Sequence, residues 1–286
     1  MAGTDRTAPS SKPDWLRRKI PVGAAYHSML TILADCGVHT VCRESQCPNT
    51  GECFSHGIAA ILILGTLCTR SCRFCAVGHG RTVPPDPNEP DKVADMVQRL
   101  GLRYTVITSV TRDDLPDGGA EQFAATVREI RLRVPDIRIE VLIPDFGGSE
   151  EALQTIIAVR PDVIAHNLDT VPRLYPAVKP GSDYRRSLGL LTRSARFAPG
   201  IPVKSGLMLG MEESPGEVES TLRDLVSAGC RIVTIGQYLS PSREHFPVSR
   251  FVPPEEFDRW RETALGMGFA SVVSGPLVRS SYRAGE

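Results

Sequence analysis

Apolar residues along most of the chain fall into short runs rich in β-branched side chains. Seven such runs predict strands: IAAILIL from residue 58, then YTVITSV, IRIEVLI, DVIAHNL, PVKSGLML, RIVTIGQ and ASVVSG. Segments between them carry apolar residues at helical spacing, among them DKVADMVQRLGL, GAEQFAATVREIRLRV, SEEALQTIIAV, SPGEVESTLRDLVSAG and PPEEFDRWRETALGMG. Strand alternating with helix is typical of a parallel sheet.

This alternation predicts an α/β fold over residues 58–274. Right-handed crossovers curl such a sheet into a barrel or a partial barrel. Residues 1–57 lack periodic apolar faces, and we expect an irregular N-terminal extension held by something other than a core. Residues 275–286 form the expected C-terminal tail.

Polar residues interrupt the apolar strands where a barrel would place its pocket. Active sites of such folds lie at the C-terminal ends of the strands. We therefore favour a pocket over ordinary solvated loops for six polar positions in or beside the strands: Thr108, Ser109, His166, Asn167, Lys204 and Gln237.

The charge balance excludes some classes of partner. Among 286 residues, 33 are Lys or Arg and 33 are Asp or Glu, so no overall field attracts nucleic acid or an anionic membrane. The longest apolar run is far shorter than the roughly 20 residues of a membrane helix, and the first residues lack the apolar segment of a secretory signal. We expect a cytoplasmic protein.

The cysteines are the strongest chemical signal in the chain. Six of the eight form two trios with spacings C-x4-C-x5-C and C-x3-C-x2-C: Cys42, Cys47 and Cys53, then Cys68, Cys72 and Cys75. In a reducing compartment, clustered cysteines favour metal or redox chemistry over disulfides. Cys36 and Cys230 stand outside the trios; Cys36 is close enough to be a rival ligand, and Cys230 is expected in the core.

The second trio immediately follows a predicted buried strand. A compact loop of this kind can hold three corners of an iron–sulfur cubane and leave the fourth iron open, whereas zinc needs a fourth ligand. Arg70 and Arg73 would partly offset the thiolate charge. A buried helical stripe of cysteines, or zinc with a remote fourth ligand, remains an alternative at this point.

The loop CTRSCRFC resembles the radical S-adenosylmethionine superfamily, including Phe74 before the last cysteine. The resemblance implies a partial (β/α)6 TIM-type barrel and a 4Fe-4S cluster with S-adenosylmethionine on its open iron. It also implies reductive cleavage of that cofactor to methionine and a 5′-deoxyadenosyl radical, which abstracts hydrogen from an unactivated carbon.

Further segments resemble one family within that superfamily, the lipoyl synthases. They are CPNTGECFSHGIAAILILGTLCTRSCRFC, TSVTRDDLPDGGA, HNLDTVPRLYPAVKPGSDYRRSL, KSGLMLGMEE, GQYLSPSREHFPVSRFVPPEEF and GPLVRSSYRAG. The resemblance covers nearly the whole chain from Lys12 onward.

The family resemblance assigns the remaining site residues. The first trio would hold an auxiliary 4Fe-4S cluster whose fourth ligand is a serine of the C-terminal R-S-S-Y motif, here Ser281, with Ser280 as the fallback. Gly118 and Gly119 would form the glycine strip facing S-adenosylmethionine. Asn167 and Lys204 are the expected further contacts with that cofactor. Ser281, Cys68, Cys72 and Cys75 are accordingly the expected catalytic residues.

The implied reaction inserts two sulfur atoms at carbons 6 and 8 of an octanoyl chain on a lysine of a lipoyl carrier domain. The auxiliary cluster would supply the sulfur. Implied partners are the glycine cleavage H protein and 2-oxoacid dehydrogenase acyltransferase subunits, a flavodoxin or ferredoxin reductant, and an iron–sulfur carrier that rebuilds the cluster. Competing functions are another radical sulfur inserter, a two-cluster electron carrier and a zinc-stabilised binding module.

Overall fold

The structure, a computed structural model, describes residues 11–17, 23–56 and 58–282. Its strands are β1 (His39–Thr40), β2 (Ala60–Ile63), β3 (Leu67–Cys68), β4 (Gly78–His79), β5 (Tyr104–Ser109), β6 (Arg138–Leu142), β7 (Val163–Ala165), β8 (Val203–Leu209), β9 (Ile232–Gln237) and β10 (Ser271–Gly275). All seven predicted strands are present, as β2 and β5 to β10.

The helices are α1 (Ala24–Cys36), α2 (Val41–Glu44), α3 (Thr50–Ser55), α4 (Glu89–Leu100), α5 (Ala120–Arg133), α6 (Glu150–Ala158), α7 (Tyr175–Val178), α8 (Tyr184–Phe197), α9 (Pro215–Ser227) and α10 (Pro254–Met267). Short 3-10 turns lie at Asp14–Leu16, Phe146–Gly148 and Pro172–Leu174. The five predicted helices are α4, α5, α6, α9 and α10.

The main sheet is the predicted partial barrel. Its order is β1-β2-β5-β6-β7-β8-β9-β10, with every pairing parallel except that of β1 with β2. Six strand–helix units precede β10, and each large helix packs against the next around the outside. Within the described residues, no backbone pairing joins the edge strands β1 and β10. The barrel therefore has an open side.

The N-terminal extension differs from the expectation. Instead of being irregular, residues 24–56 include the helix α1, which packs on α4. Met29, Leu33 and Phe54 from this region are buried in the same hydrophobic core as β2. Burial of these side chains stabilises the extension by itself, so the prediction of an extension held without a core was wrong.

Helix α8 is the second addition to the predicted elements. Asp183 caps its first turn, because the carboxylate accepts a hydrogen bond from the Arg186 backbone amide at 2.6 Å. Leu190 and Leu191 are buried on its inner side. The helix covers the outside of the sheet between α6 and α9 and completes the strand–helix alternation.

No helix in the described ranges is both long and apolar enough to cross a lipid bilayer.

Candidate active site

A cleft of about 230 Å³ opens at the C-terminal ends of the parallel strands. The second cysteine trio lies on its wall, in the loop after β2, and polar side chains following β5, β6 and β7 complete it. Thiol, carboxyl and other polar side chains of the cleft wall are those of Cys68, Cys72, Cys75, Ser109, Asp145, His166, Asn167, Asp169 and Lys179. The predicted pocket is present, and Thr108 also lines it.

The cysteine loop is extended and turning rather than helical between residues 69 and 75, which removes the alternative of a buried helical stripe. The Cys68 Sγ accepts backbone N–H groups from Arg70 at 3.4 Å and Thr111 at 3.2 Å. Amide donors stabilise a negatively charged sulfur, as found in iron–sulfur sites. The local backbone therefore suits a thiolate ligand at this position.

A second loop holds the cysteine loop from the other side. The backbone amide of Phe246 donates to the Arg73 carbonyl at 2.7 Å, and the His245 Nε2 lies 3.1 Å from the Cys75 carbonyl oxygen. These contacts tie the segment after β9 to the loop after β2. The positions of the three sulfurs are consequently fixed by two different parts of the chain.

Burial makes the thiols weak acids without a metal. It raises the pKa of Cys72 to about 11 and that of Cys75 to about 12. The pKa of Cys42, in the first trio, rises to about 11 for the same reason. Because a buried thiolate is costly unless it is paired, these cysteines need metal charge to ionise.

Neither trio brings its three side chains together as the ligands of a single metal ion. In the described part of the chain, no three His, Cys, Asp or Glu side chains form such a compact group. A cubane binds one thiolate on each of several irons, so its ligands are spread over separate corners. The spacing of the cysteines around cavities fits a cluster better than one zinc ion.

The charges around the cleft were only partly anticipated. Arg70 is engaged by carboxylates, with its guanidinium 2.7 Å from both Asp113 and Asp145. Its positive charge also acts against the burial effect on the pKa of Cys72, so Arg70 partly offsets a thiolate, as the sequence suggested. Lys179, which the sequence analysis missed, lies 2.8 Å from Asp169 in the cleft wall.

Lys179 supplies the buried positive charge near the cysteines. Burial alone would lower the pKa of Lys179, but the attraction of Asp169 raises it above its usual value. The same ammonium group acts against the burial effect on Cys72. Lys179 lies in the segment HNLDTVPRLYPAVKPGSDYRRSL, so the family resemblance was the only signal in the sequence that could have found it.

Four buried polar atoms of residues that line the cleft have no hydrogen-bond partner within the described residues: Ser109 Oγ, His166 Nε2, Asn167 Oδ1 and Ser187 Oγ. Burial lowers the pKa of His166 to about 4, so its imidazole is neutral at neutral pH. Its Nδ1 lies 2.8 Å from the Ile143 carbonyl oxygen and donates to it, which leaves Nε2 as an acceptor. Buried orphan atoms of this kind indicate a polar ligand.

The first trio lines a separate, smaller cavity together with Ser281. Cys42, Cys47 and Cys53 share that cavity with Asn49, Arg279, Ser281 and Tyr282. Ser280 is not part of its lining. The structure thus brings a serine of the R-S-S-Y motif to the three cysteines across more than two hundred residues of sequence.

Two hydrogen bonds anchor the tail at this cavity. The Asn49 side-chain amide donates to the Leu277 carbonyl at 2.6 Å, and the Tyr282 hydroxyl donates to a Glu52 carboxylate oxygen at 2.9 Å. The remaining amide oxygen of Asn49 is buried without a partner. Both contacts join the N-terminal extension to the C-terminal tail at the open side of the barrel.

Gly118 and Gly119 have a packing role. Both have positive φ, 62° and 91°, and neither lines the cleft. A β-carbon on Gly119 would lie 2.3 Å from a methyl group of Leu64, and one on Gly118 would lie 2.9 Å from the Phe146 ring. Positive φ and neighbouring apolar groups therefore account for glycine at both positions, while their expected contact with the cofactor stays a prediction.

Lys204 is also displaced from its expected role. It is the second residue of β8, near the strand's N-terminal end, and its ammonium lies 2.9 Å from both oxygens of Glu140. Tyr104 donates to the same carboxylate at 2.7 Å. This group is buried inside the barrel and is not among the residues that line the cleft, and the ion pair with Glu140 already engages the Lys204 ammonium.

Gln237 and the two cysteines outside the trios make contacts that belong to the fold rather than to either cavity. Gln237 is fully buried, and its side chain bonds four backbone groups around the loop after β9. Cys36 contacts Asp95 and Arg99 of α4 rather than either cavity. Cys230 is buried in the core, as expected.

Comparison with known proteins defines the class. Residues 62–225 match the model of the radical SAM superfamily, and residues 4–47 match the N-terminal domain of lipoyl synthase of that superfamily. The solved structure of methylornithine synthase (PylB) aligns at a TM-score of 0.54 with 13% identity, covering 91% of this chain and 87% of that one. HydG, a maturase of the [FeFe]-hydrogenase, aligns at 0.55 with 13% identity over 87% and 68%. The chain is a radical SAM protein.

Relatives with curated names narrow this class. The lipoyl synthase of Methylococcus capsulatus is 54% identical over 280 residues, which span 98% of this chain and 87% of the relative. That of Chlorobium phaeovibrioides is 51% identical over 96% of this chain and 97% of the relative. The chain belongs to the lipoyl synthase family.

The residues present fit the cofactors of this family, which are S-adenosylmethionine and two 4Fe-4S clusters. Three cysteines lie on the wall of an open cleft that also contains unpartnered polar atoms. Three others line a smaller cavity together with Ser281. Membership of the lipoyl synthase family favours an enzyme over an electron carrier or a zinc-stabilised module.

Proposed function

We propose that this lipoyl synthase inserts sulfur at carbons 6 and 8 of an octanoyl chain held on a lysine of a carrier domain. The observation that carries the proposal is the contrast between the two cysteine cavities. One trio lines the larger cleft at the strand ends, and the other lines a small cavity together with Ser281. Bound clusters and S-adenosylmethionine would supply the electron, the hydrogen-abstracting group and the sulfur atoms.

Cys68, Cys72 and Cys75 are the proposed ligands of the cluster that binds S-adenosylmethionine. Among the described residues, no further cysteine lines the cleft, so a cluster held by these three would keep one iron without a protein thiolate. The amide donors at Cys68 and the charge of Lys179 near Cys72 favour the ionised sulfurs. These groups bind and orient, and the loop after β9 keeps them in position.

Asn167 is the proposed S-adenosylmethionine contact among the polar residues predicted from the sequence. Its amide oxygen is buried in the cleft without a partner, as is the Nε2 of neutral His166. Both are acceptors for hydroxyl or amino groups of a ligand. The side chains of Thr234 and Asn167 lie close to Gly206. A side chain at position 206 would therefore displace the Asn167 amide.

Cys42, Cys47, Cys53 and Ser281 are the proposed ligands of the auxiliary cluster. An alkoxide is a harder ligand than a thiolate and is more readily displaced from iron, which suits a cluster that must give up sulfur. The N-terminal extension contributes three ligands and the C-terminal tail contributes one. These two segments therefore form one functional unit beside the barrel.

The proposed partners are octanoylated carrier domains, including the glycine cleavage H protein and 2-oxoacid dehydrogenase acyltransferase subunits. A flavodoxin or ferredoxin would deliver electrons, and an iron–sulfur carrier would restore the auxiliary cluster. We propose a cytoplasmic location for the reaction. The neutral charge balance of the chain supports no role in nucleic-acid binding.

The test is anaerobic incubation of the reconstituted protein with a reductant, S-adenosylmethionine and a short octanoyl-lysine peptide. Mass spectrometry should find the peptide with two added sulfurs, together with 5′-deoxyadenosine. The iron content should be about eight atoms per chain, four for each cluster. Absence of both products from protein with full iron content would reject the proposed reaction.

A further inference from the structure

A second groove, of about 150 Å³, lies beside the active-site cleft, and Leu62 lines both. Its apolar wall includes Val38, which precedes β1, and Val83, Pro84 and Pro85, which precede α4. These four residues are called the rim groove below. Leu64 and Val83, in the connection that follows β2, place the groove at the C-terminal end of that strand, the same end of the sheet as the cleft.

The rim groove exposes apolar side chains that a monomer in water has no reason to expose. Val83 is 66% exposed, and Leu67, on the same segment between β2 and α4, is 40% exposed. That segment also carries the cysteine loop. Exposed apolar groups concentrated beside a binding cleft indicate contact with another macromolecule.

The carboxylates of the groove are already engaged within the chain. Asp86 pairs with Lys92 at 2.7 Å, and both oxygens of Glu89 accept a backbone amide after β2 at about 3 Å. Their charges are therefore partly neutralised by local partners. They leave little free negative charge at the groove.

Two arginines nearby remain without such partners. Arg81, two residues before Val83, and Arg43, in α2 after β1, form no ion pair with any residue in the described ranges. The remaining carboxylate beside β1, Glu44, faces His39 at 3.6 Å. The surface next to the cleft is thus apolar with unpaired positive charge at its border.

The size of the cleft determines what can lie on this surface. A cleft of about 230 Å³ is far too small for a folded domain. The carrier must stay at the mouth while its arm enters. Residues beside the mouth are then the ones that the carrier touches.

We propose that the octanoylated carrier domain docks on the rim groove with an acidic, partly apolar surface, facing Arg43 and Arg81. This inference rests on the proposed function, since it takes the octanoyl-lysyl carrier as the substrate. Docking of this kind adds affinity for the carrier without changing how the acyl arm sits in the cleft. A short octanoyl-lysine peptide has no such surface and does not use the rim groove.

The test compares two ligands of the anaerobic holoenzyme by calorimetry, the octanoylated carrier domain and a short octanoyl-lysine peptide. We expect the double variant Val83→Asp, Arg81→Glu to weaken carrier binding at least about tenfold relative to peptide binding. The matched control is Leu132→Asp, Arg261→Glu, which makes the same chemical changes at exposed positions of α5 and α10. The control should leave the ratio of the two Kd values within about twofold.

An unchanged ratio of the two Kd values in the rim-groove variant would overturn the inference, whether neither value changes or both rise by the same factor. The peptide reaction of the unaltered enzyme separates this result from a failure of the proposed function. If the unaltered enzyme forms the dithiolated peptide while the ratio stays constant, the reaction stands and the docking surface is wrong. If it forms none, the proposed reaction itself fails.

Discussion

The hydroxyl of Tyr282 lies 2.9 Å from a carboxylate oxygen of Glu52, 230 residues earlier in the chain. Glu52 belongs to α3, the helix that carries Cys53, and Tyr282 follows Ser281 directly. The contact therefore joins the cysteine and serine sides of the auxiliary cavity. It gives a physical reason for an aromatic residue at the end of the R-S-S-Y motif.

Replacing Tyr282 by phenylalanine removes this hydrogen bond and keeps the ring. We expect the tail to loosen by about 2 kcal/mol, the typical contribution of a hydrogen bond to a charged group. Dithiolated product should fall several-fold while 5′-deoxyadenosine formation continues, as measured by mass spectrometry. Tyr26→Phe, on α1, is the control, because Tyr26 packs beside Phe54 of α3 without a described hydroxyl contact.

Gly206 tests the position of the Asn167 amide. A β-carbon at Gly206 would lie 2.9 Å from Asn167 Oδ1 and 2.8 Å from Thr234 Oγ1. Gly206→Ala should therefore displace the amide and weaken S-adenosylmethionine binding by about tenfold in equilibrium titrations. Gly216→Ala, with no atom within 4 Å of the added carbon, should leave the affinity unchanged. Equal affinity in both variants would argue against the Asn167 contact.

Replacement of Lys204 tests whether its charge stabilises the fold or binds the cofactor. Lys204→Met leaves the Glu140 carboxylate buried without its cation, which should lower the free energy of unfolding by about 3 kcal/mol or more. Binding of S-adenosylmethionine by the folded holoenzyme should stay within about twofold. In Lys92→Met, which breaks an exposed pair, the free energy of unfolding should stay nearly unchanged. A large loss of cofactor affinity in a stable Lys204→Met protein would restore the original expectation.

Burial of the His166 imidazole predicts that the free energy of unfolding depends on pH. Its pKa falls from 6.5 to about 4 on folding, mainly through burial, so the unfolded chain binds a proton between these values and the folded chain does not. Stability from this residue is present above pH 6.5 and is lost as the pH falls towards 4. Between pH 7 and pH 5, the cluster-free protein should lose about 2 kcal/mol more than His166→Gln.

Urea unfolding of the two proteins at both pH values measures that difference. Carboxylates that titrate in the same pH range contribute equally to the unaltered protein and to His166→Gln, so their effects cancel in the comparison. An identical loss of stability in His166→Gln would show that the imidazole is not held neutral in the cleft.

Sequence periodicity predicted the barrel because each of its strands is a compact β-branched run. It missed α1, where polar residues are scattered through AAYHSMLTILADC and no opening Asp or Ser marks the start. The burial of Met29 and Leu33 against the barrel forms that helix, and such tertiary contacts are not visible in a local pattern. Helix α8 had a local signal, the Asp183 cap, that could have found it.

The same contrast holds for the site. Spacing alone identified two cysteine trios, and the polar positions Thr108, Ser109, His166 and Asn167 do line the cleft. Lys204 lies in register with the last residue of β7, and its ammonium pairs with Glu140 inside the barrel, a long-range contact that a local pattern does not reveal. The pairing of Lys179 with Asp169, ten residues apart, depends on the path of the chain through α7.

The most direct test of the account is the division of labour between the two cysteine cavities. In Ser281→Ala, anaerobic incubation with S-adenosylmethionine and the octanoyl-lysine peptide should give 5′-deoxyadenosine but little dithiolated product. Ser280→Ala should resemble the unaltered enzyme, since Ser280 does not line the auxiliary cavity. Cys72→Ala should form neither product. Equal loss of both products in Ser281→Ala and Cys72→Ala would contradict the separate roles assigned to the two sites.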